Sequence, residues 1–268
     1  MTVLHCYTST YNDLYMIRHY VRHWSRYASK IFVYDDDSTD GTREFLESCA
    51  SLVEVKSPGF HGIDEILLQE LRSNEYKKYS RGIADWVAIT DADEFHYHVN
   101  MLEALEDKKC KGYCAIVSQG YQMFAATPPA ADARLTDEVR EGIIDSNYNR
   151  VIFNPELSVV IGIGHHGFMI EDGPILRFTR HNPMLTPKGT EEQMRQYPIE
   201  SADQRFKMLH YKYLGYDYVK ERHARYWPRL SQRNRLHEWG HHSAPDWTGG
   251  YSAEWYLAKL NQRRKVID

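Results

Sequence analysis

The ten residues Trp86-Val87-Ala88-Ile89-Thr90-Asp91-Ala92-Asp93-Glu94-Phe95 constrain the fold more than any other stretch. An unbroken apolar and β-branched run stops abruptly at two carboxylates with one small residue between them. This pattern predicts a strand buried on both faces with acids at its C-terminal edge. Open α/β sheets hold their ligands at that edge. Asp91 and Asp93 stand two positions apart, so a chain leaving strand geometry there can turn both toward one divalent cation, and Ala92 leaves room for it. Hard oxygen ligands suit Mg²⁺ or Mn²⁺, which take one or two protein carboxylates and complete their shell with phosphate oxygens and water. A solvated acidic turn after a core strand is the plainer alternative for the same triplet.

Upstream, short strands alternate with helices. Val3-Leu4-His5-Cys6-Tyr7 reads as a strand, and Thr8 to Asp13 offers N-cap residues for the helix whose apolar stripe is Leu14, Ile17, Val21, Trp24 and Ala28. Ile31-Phe32-Val33-Tyr34 is a second strand running into Asp35-Asp36-Asp37-Ser38-Thr39-Asp40-Gly41-Thr42. A helix with Phe45, Leu46 and Cys49 inward, the strand Leu52-Val53-Glu54-Val55, and a helix begun by Ile63, Ile66, Leu67 and Leu71 follow. The strand ahead of Asp91 is then the fourth in a β-α-β-α-β-α-β series, which predicts a mostly parallel sheet flanked by helices. On such a sheet the acidic loops at 35–40 and 91–94 share one edge.

After residue 112 the runs shorten, to 113–117, 150–153 and 158–163 with Pro and Gly between them, so this half is expected to be mixed or antiparallel. The expected division is a main domain over 1–225, with halves of about 1–112 and 113–225, and a helical C-terminal extension over 226–268 packed on it. Residues 125–140 and 181–200 read as long loops, either lids or plain surface excursions.

Acids and bases nearly balance, for a formal net charge of -4, so neither nucleic acid nor an anionic membrane is expected as a partner of the whole surface. Any anion must be met locally. Cys6, Cys49, Cys110 and Cys114 form no disulfide pattern, which fits a reducing compartment. No apolar run approaches the roughly 18 residues of a membrane span, and no basic segment followed by an apolar core begins the chain. The expectation is a soluble, unexported, cytoplasmic protein, at most peripheral at a membrane.

Three ordered motifs resemble the family 2-like glycosyltransferases of GT-A fold: Tyr11-Asn12-Asp13 after the first strand, Tyr34 to Thr42 after the second, and Asp85 to Phe95 after the fourth. The likeness is to the bacterial branch with a DADEF-type metal motif. It extends to Ile152-Phe153-Asn154-Pro155, Gly164-His165-His166-Gly167 and Leu209-His210-Tyr211, covering most of residues 3–225. The resemblance implies a Rossmann-like nucleotide-binding half, an acceptor-side half and a nucleotide-sugar site. Tyr11, Asn12, Asp13 and Asp35 would hold base and ribose, with Asp36 standing where Asn is common. Asp93 would bind the Mn²⁺ or Mg²⁺ bridging the diphosphate, Asp91 the metal or ribose, and His210 would complete the metal shell, with His165 and His166 as the next candidates. Of Arg72, Lys77, Lys78 and Arg81, the resemblance selects Arg81 for the diphosphate. Asp172 or Glu171 would be the catalytic base of an inverting enzyme; a retaining enzyme needs none.

These implications describe an enzyme, a metal-dependent glycosyltransferase of the hexosyltransferase type. It would move a sugar from a nucleoside diphosphate donor, a UDP-sugar in the first instance, to a glycan or glycolipid hydroxyl, as in polysaccharide biosynthesis. One alternative is a non-catalytic nucleotide- or carbohydrate-binding module of the same fold. Another is a haloacid dehalogenase-type phosphatase, whose Asp-x-Asp, however, normally sits on the first strand. In the C-terminal piece His237 and His241 have the spacing of a helical metal pair but lack the carboxylate of a zinc protease. That piece, with Trp239, His242, Trp247, Gly249, Gly250 and Tyr251, points instead to acceptor contacts or packing.

Overall fold

The computed structural model describes residues 2–178, 187–201, 205–244 and 252–268. Part of the expected 181–200 loop lies outside these residues, as do Trp247, Gly249, Gly250 and Tyr251. The chain runs β1 (Leu4–Thr10), α1 (Leu14–Trp24), β2 (Lys30–Asp35), α2 (Thr42–Ser48), β3 (Val53–Lys56), α3 (Glu65–Tyr79), β4 (Trp86–Ile89), β5 (Glu94–Tyr97) and α4 (Met101–Cys110). It continues through β6 (Ala115–Phe124), α5 (Leu135–Glu138), β7 (Glu141–Ile144), β8 (Arg150–Phe153), β9 (Val159–Ile161), β10 (Gly167–Ile170) and β11 (Ile175–Arg177). Last come α6 (Glu191–Gln196), β12 (Ile199–Glu200), β13 (Lys207–Tyr213), α7 (Tyr216–Tyr226), α8 (Gln232–Leu236), α9 (Ala253–Gln262) and β14 (Arg264–Lys265).

The fold is mixed α/β, with a large central sheet flanked by helices. Strands β3, β2, β1 and β4 lie side by side and parallel, with Cys6 opposite both Ile31 and Ala88. Strand β8 then runs antiparallel to β4 and β6, so the second half is mixed, as expected from its shorter runs. Alternation along the parallel strands decides which residues meet which helices. Trp86 and Ala88 join the core that includes Ile17, Tyr20 and Trp24 of α1, while Val87 and Ile89 join the one that includes Tyr76 of α3. Both sets are buried, which is why β4 reads as a continuous apolar run.

Strand β5 was not expected. Glu94–Tyr97 leaves the acidic turn directly and pairs antiparallel with β13, more than a hundred residues later, placing His210 opposite Glu94. The segment 125–140 is not a free excursion either. Pro129, Ala131 and Ala133 carbonyls accept hydrogen bonds from Tyr15 (2.9 Å), Arg22 (3.0 Å) and His19 or Arg22 (3.0 Å each), so this stretch straps α1. Among the described residues no helix is long and apolar enough to cross a membrane, and the four cysteines are free thiols.

Helix α1 buries more than one stripe and carries His19 and His23 inward. The His23 ring stacks on Phe95 at 4.8 Å and its Nε2 meets the His96 carbonyl at 2.8 Å. Burial outweighs the partners and pushes His19 and His23 down to about 4 and His96 to about 3. Unfolded histidines take up protons near pH 6.5, so between that value and about 4 the unfolded state binds more protons and stability falls as pH falls. Each group contributes up to about 1.4 kcal/mol per pH unit in that window. Urea midpoints should be flat above about pH 7 and drop steeply from 6.5 to 4; a midpoint unchanged over that interval contradicts neutral buried histidines.

Candidate active site

A cavity of about 410 Å³ opens at the C-terminal edge of the parallel strands, within the usual size of a small-ligand pocket. Tyr11 and Asp13 from the loop after β1, Asp36 from the loop after β2, and Asp91, Asp93 and Glu94 after β4 all line it. The two halves of the nucleotide-side wall are stapled together. Asn12 N donates to Ser38 Oγ (2.8 Å), Thr39 N to Asn12 Oδ1 (2.6 Å), and Leu14 N to Asp40 Oδ2 (3.0 Å). Asn12 adopts φ 43°, a left-handed conformation Asn tolerates, and its side chain serves this staple rather than the cavity.

The paired aspartates ending β2 divide. Asp35 is fully buried beneath the loop, accepting from Ser38 N at 3.3 Å and Arg43 at 3.4 Å, whereas Asp36 faces the cavity. Asp36 accepts from His61 Nδ1 and Gly62 N, each at 2.8 Å, and pairs with Arg229. Gly62 is required there: its φ is 82°, and a Cβ would lie 2.7 Å from the Arg229 carbonyl oxygen. The Arg229 guanidinium also covers the Tyr11 ring at 3.5 Å.

Asp91 and Asp93 sit in the turn between β4 and β5 and point at different partners. Asp91, with 45% of its side chain exposed, meets Arg72 Nη2 at 2.7 Å. Asp93, 9% exposed, meets Arg222 Nη1 at 2.5 Å and His210 Nε2 at 3.4 Å. Burial works to raise the Asp93 carboxyl, but the charges of Arg222 and His210 and their hydrogen bonds outweigh it and hold it well below the usual carboxylate range. His210 arrives through the β5–β13 ladder, in which Tyr211 N donates to Asp93 O at 2.8 Å. Its ring stacks on Tyr148 at 4.4 Å, and its buried Nδ1 has no hydrogen-bond partner among the described residues.

Glu94 is structural. Arg150 grips both its oxygens, with Nε at 2.9 Å, and one oxygen also accepts from Asp91 N at 3.2 Å, so the acidic turn hangs on this pair. The turn carrying Tyr148 toward Arg150 packs on Gly120, where a Cβ would sit 2.4 Å from the Asp145 carbonyl oxygen.

The expected Mn²⁺ or Mg²⁺ can be tested against these donors. Two cis ligands of a cation at about 2.1 Å stand about 3 Å apart, and Asp93 Oδ2 and His210 Nε2 are 3.4 Å apart beside the cavity. The donors fit a small divalent cation, provided that Arg222 yields its place on Asp93. Asp91, Glu94 and His165 also bring ligand atoms within 4.8 Å of one another. There Arg150 and Asp91 N already engage both oxygens of Glu94, whereas at Asp93 and His210 a cation has Arg222 to displace. His166 lines the cavity with Nδ1 held by Asn147 O at 3.1 Å.

Besides Asn12 and Asp35, three expected residues lie outside the cavity lining. Glu171 and Asp172 occupy the exposed turn between β10 and β11, outside the cavity lining, and Asp172 O serves Gln193. They are not brought to the cleft, because the separate β9–β10–β11 sheet turns that hairpin tip to solvent. Arg81 binds the Pro155 and Leu157 carbonyls and Ser158 at 2.9–3.3 Å, tying the segment after α3 to the β8–β9 connection. It precedes β4 and so stands at the strand's N-terminal end. Arg72 stands on α3 about two turns, roughly 10 Å, before the end of that helix, and it is Arg72 that reaches the acidic edge. Arg222 and Arg229, which the sequence did not single out, complete the cationic side, and Trp239, Gly240 and Ser243 from beyond residue 225 add to the wall.

No family model and no curated protein matches this chain. Among solved structures, Staphylococcus aureus TarS 1–349 in complex with UDP-GlcNAc aligns over 97% of this chain and 80% of that one, at 14% identity and TM-score 0.47. S. aureus TarS aligns over 94% and 46%, at 14% identity and TM-score 0.46. Glucosyl-3-phosphoglycerate synthase from Mycobacterium tuberculosis, in complex with Mn²⁺, UDP and glucosyl-3-phosphoglycerate, aligns over 45% and 44%, at 14% identity and TM-score 0.31. The chain thus spans less than half the length of the last two.

Proposed function

We propose that this chain is a metal-dependent glycosyltransferase that takes a nucleoside diphosphate sugar, in our reading a UDP-sugar, and passes the sugar to a hydroxyl of a glycan or glycolipid. The observation that carries the proposal is convergence: Asp13, Asp36, Asp91 and Asp93, from loops after three different parallel strands, line one cavity with Arg72 and His210. Tyr11 offers a ring face and Asp36 a carboxylate to the nucleoside, a directional and charge-assisted pairing. Arg72 brings a planar guanidinium, only 9% exposed, to the diphosphate. Asp93 and His210 would hold the cation, which when bound neutralises charge building on the leaving diphosphate. Asp13, buried under α7, holds the loop after β1 in register with that helix. Glu94 keeps Asp91 N fixed and so sets where the acidic turn points.

A thermal-shift titration tests this directly, because a ligand bound only by the native state raises the melting temperature. UDP at about 100 times its Kd with Mn²⁺ contributes about 2.7 kcal/mol, a rise of roughly 5–10 °C for a domain of this size. UDP with a chelator should give a much smaller shift, and His210→Ala should lose most of the Mn²⁺-dependent part. If no nucleoside diphosphate with Mn²⁺ shifts the melt, the proposal fails.

A further inference from the structure

Helix α7 and the turn after it present arginines at 222, 225 and 229, one stripe at helical spacing, and each meets a wall of the cavity. Arg222 bridges Asp93 (2.5 Å) and Asp13 (3.0 Å) and also donates to Tyr226 Oη at 2.7 Å. Arg225 reaches Asn12 O at 2.8 Å and Asp13 at 3.5 Å, and Arg229 pairs with Asp36. One helical segment therefore neutralises acids from three separate loops.

Resting on the reading above, we propose that Arg222 is a displaceable internal counter-ion: its guanidinium holds the cation position at Asp93, and a divalent cation must dislodge it to bind. Two observations support this. The Asp93 oxygen nearest His210 Nε2 is the same oxygen that Arg222 occupies, so cation and guanidinium compete for one atom. Arg222 is 6% exposed, yet its Nε has no hydrogen-bond partner among the described residues, so the bridge does not satisfy every donor of the guanidinium. Such an unsatisfied donor weakens a buried ion pair relative to a fully bonded one.

The consequence is that the ligand-free chain binds its metal below the intrinsic affinity of the Asp93–His210 pair, because part of the binding energy is spent displacing Arg222. Mn²⁺ titrations of the full chain without donor, read by the electron paramagnetic resonance of free Mn²⁺, test this. Arg222→Gln should bind Mn²⁺ about tenfold or more tightly than the wild type. Arg225→Gln, which leaves Asp93 untouched, should stay within about twofold. Arg222→Lys keeps a charge but cannot bridge two carboxylates as a fork, and should tighten binding by about threefold. Equal or weaker Mn²⁺ binding by a folded Arg222→Gln overturns the proposal alone; should that variant not fold, the same result with Arg222→Lys does so. If neither the wild type nor any variant binds Mn²⁺, the metal-dependent reading falls and the counter-ion role with it.

Discussion

Asp93→Asn should lower Mn²⁺-dependent donor turnover by about a thousandfold, the scale on which removal of a group that stabilises developing charge acts. Asn is the informative replacement. Asp93 is buried against Arg222, and truncation to Ala would leave that buried guanidinium with Asp13 as its one remaining carboxylate, which destabilises the fold. Loss of activity in the Ala variant would then mix chemistry with unfolding. The amide oxygen of Asn still accepts from Arg222 while offering a far poorer ligand to a cation. UDP release at saturating Mn²⁺, beside a melting curve for the same protein, separates the two effects. A folded Asp93→Asn with wild-type turnover contradicts the role given to this residue.

The second large effect is on stability. Glu94→Ala should destabilise the chain by about 3–5 kcal/mol, because Arg150, with its side chain only 4% exposed, would keep its charge with backbone carbonyls but no carboxylate to balance it. A typical domain has a total stability of about 5–15 kcal/mol, so the urea midpoint should fall by a large fraction and the melting temperature by roughly 10 °C. Burial acts to raise the Glu94 carboxyl, but Arg150, then His165, outweigh it and hold it well below the ordinary range. Its contribution is therefore complete above the unfolded carboxylate value of about 4.3 and is lost only as pH falls toward its lower folded value. A melting temperature within about 2 °C of wild type would mean that the pair is not the anchor of the acidic turn.

The parallel half of the sheet was legible because each strand carries its own signal. Runs such as Val87 to Ile89 are apolar on both faces and end in polar loops, so both order and edge could be read locally. What was missed depends on distant partners. Glu94 to Tyr97 looks like the tail of an acidic turn until β13, more than a hundred residues away, supplies its ladder. Arg222 and Arg229 look like solvated positions, and only the path of α7 and the turn after it along the cleft brings them inward. Arg72 lines the cavity and Arg81 does not, for a geometric reason. Proximity in sequence to β4 brought Arg81 to the wrong end of the strand. Glu171 and Asp172 stood in a Gly-rich acidic turn, but the small β9–β10–β11 sheet decides where that turn points, and no local pattern encodes its direction.

The central claim is that the loops after β1, β2 and β4 build one site for a nucleoside diphosphate, with its cation at Asp93 and His210. Crystals grown with UDP and Mn²⁺, measured at the manganese absorption edge, test it most directly. The account predicts one anomalous peak within about 2.3 Å of an Asp93 oxygen and His210 Nε2, with diphosphate oxygens completing the shell, uracil against Tyr11, and Arg222 withdrawn from Asp93. Manganese bound away from Asp93, or UDP seated outside the cleft, would contradict it.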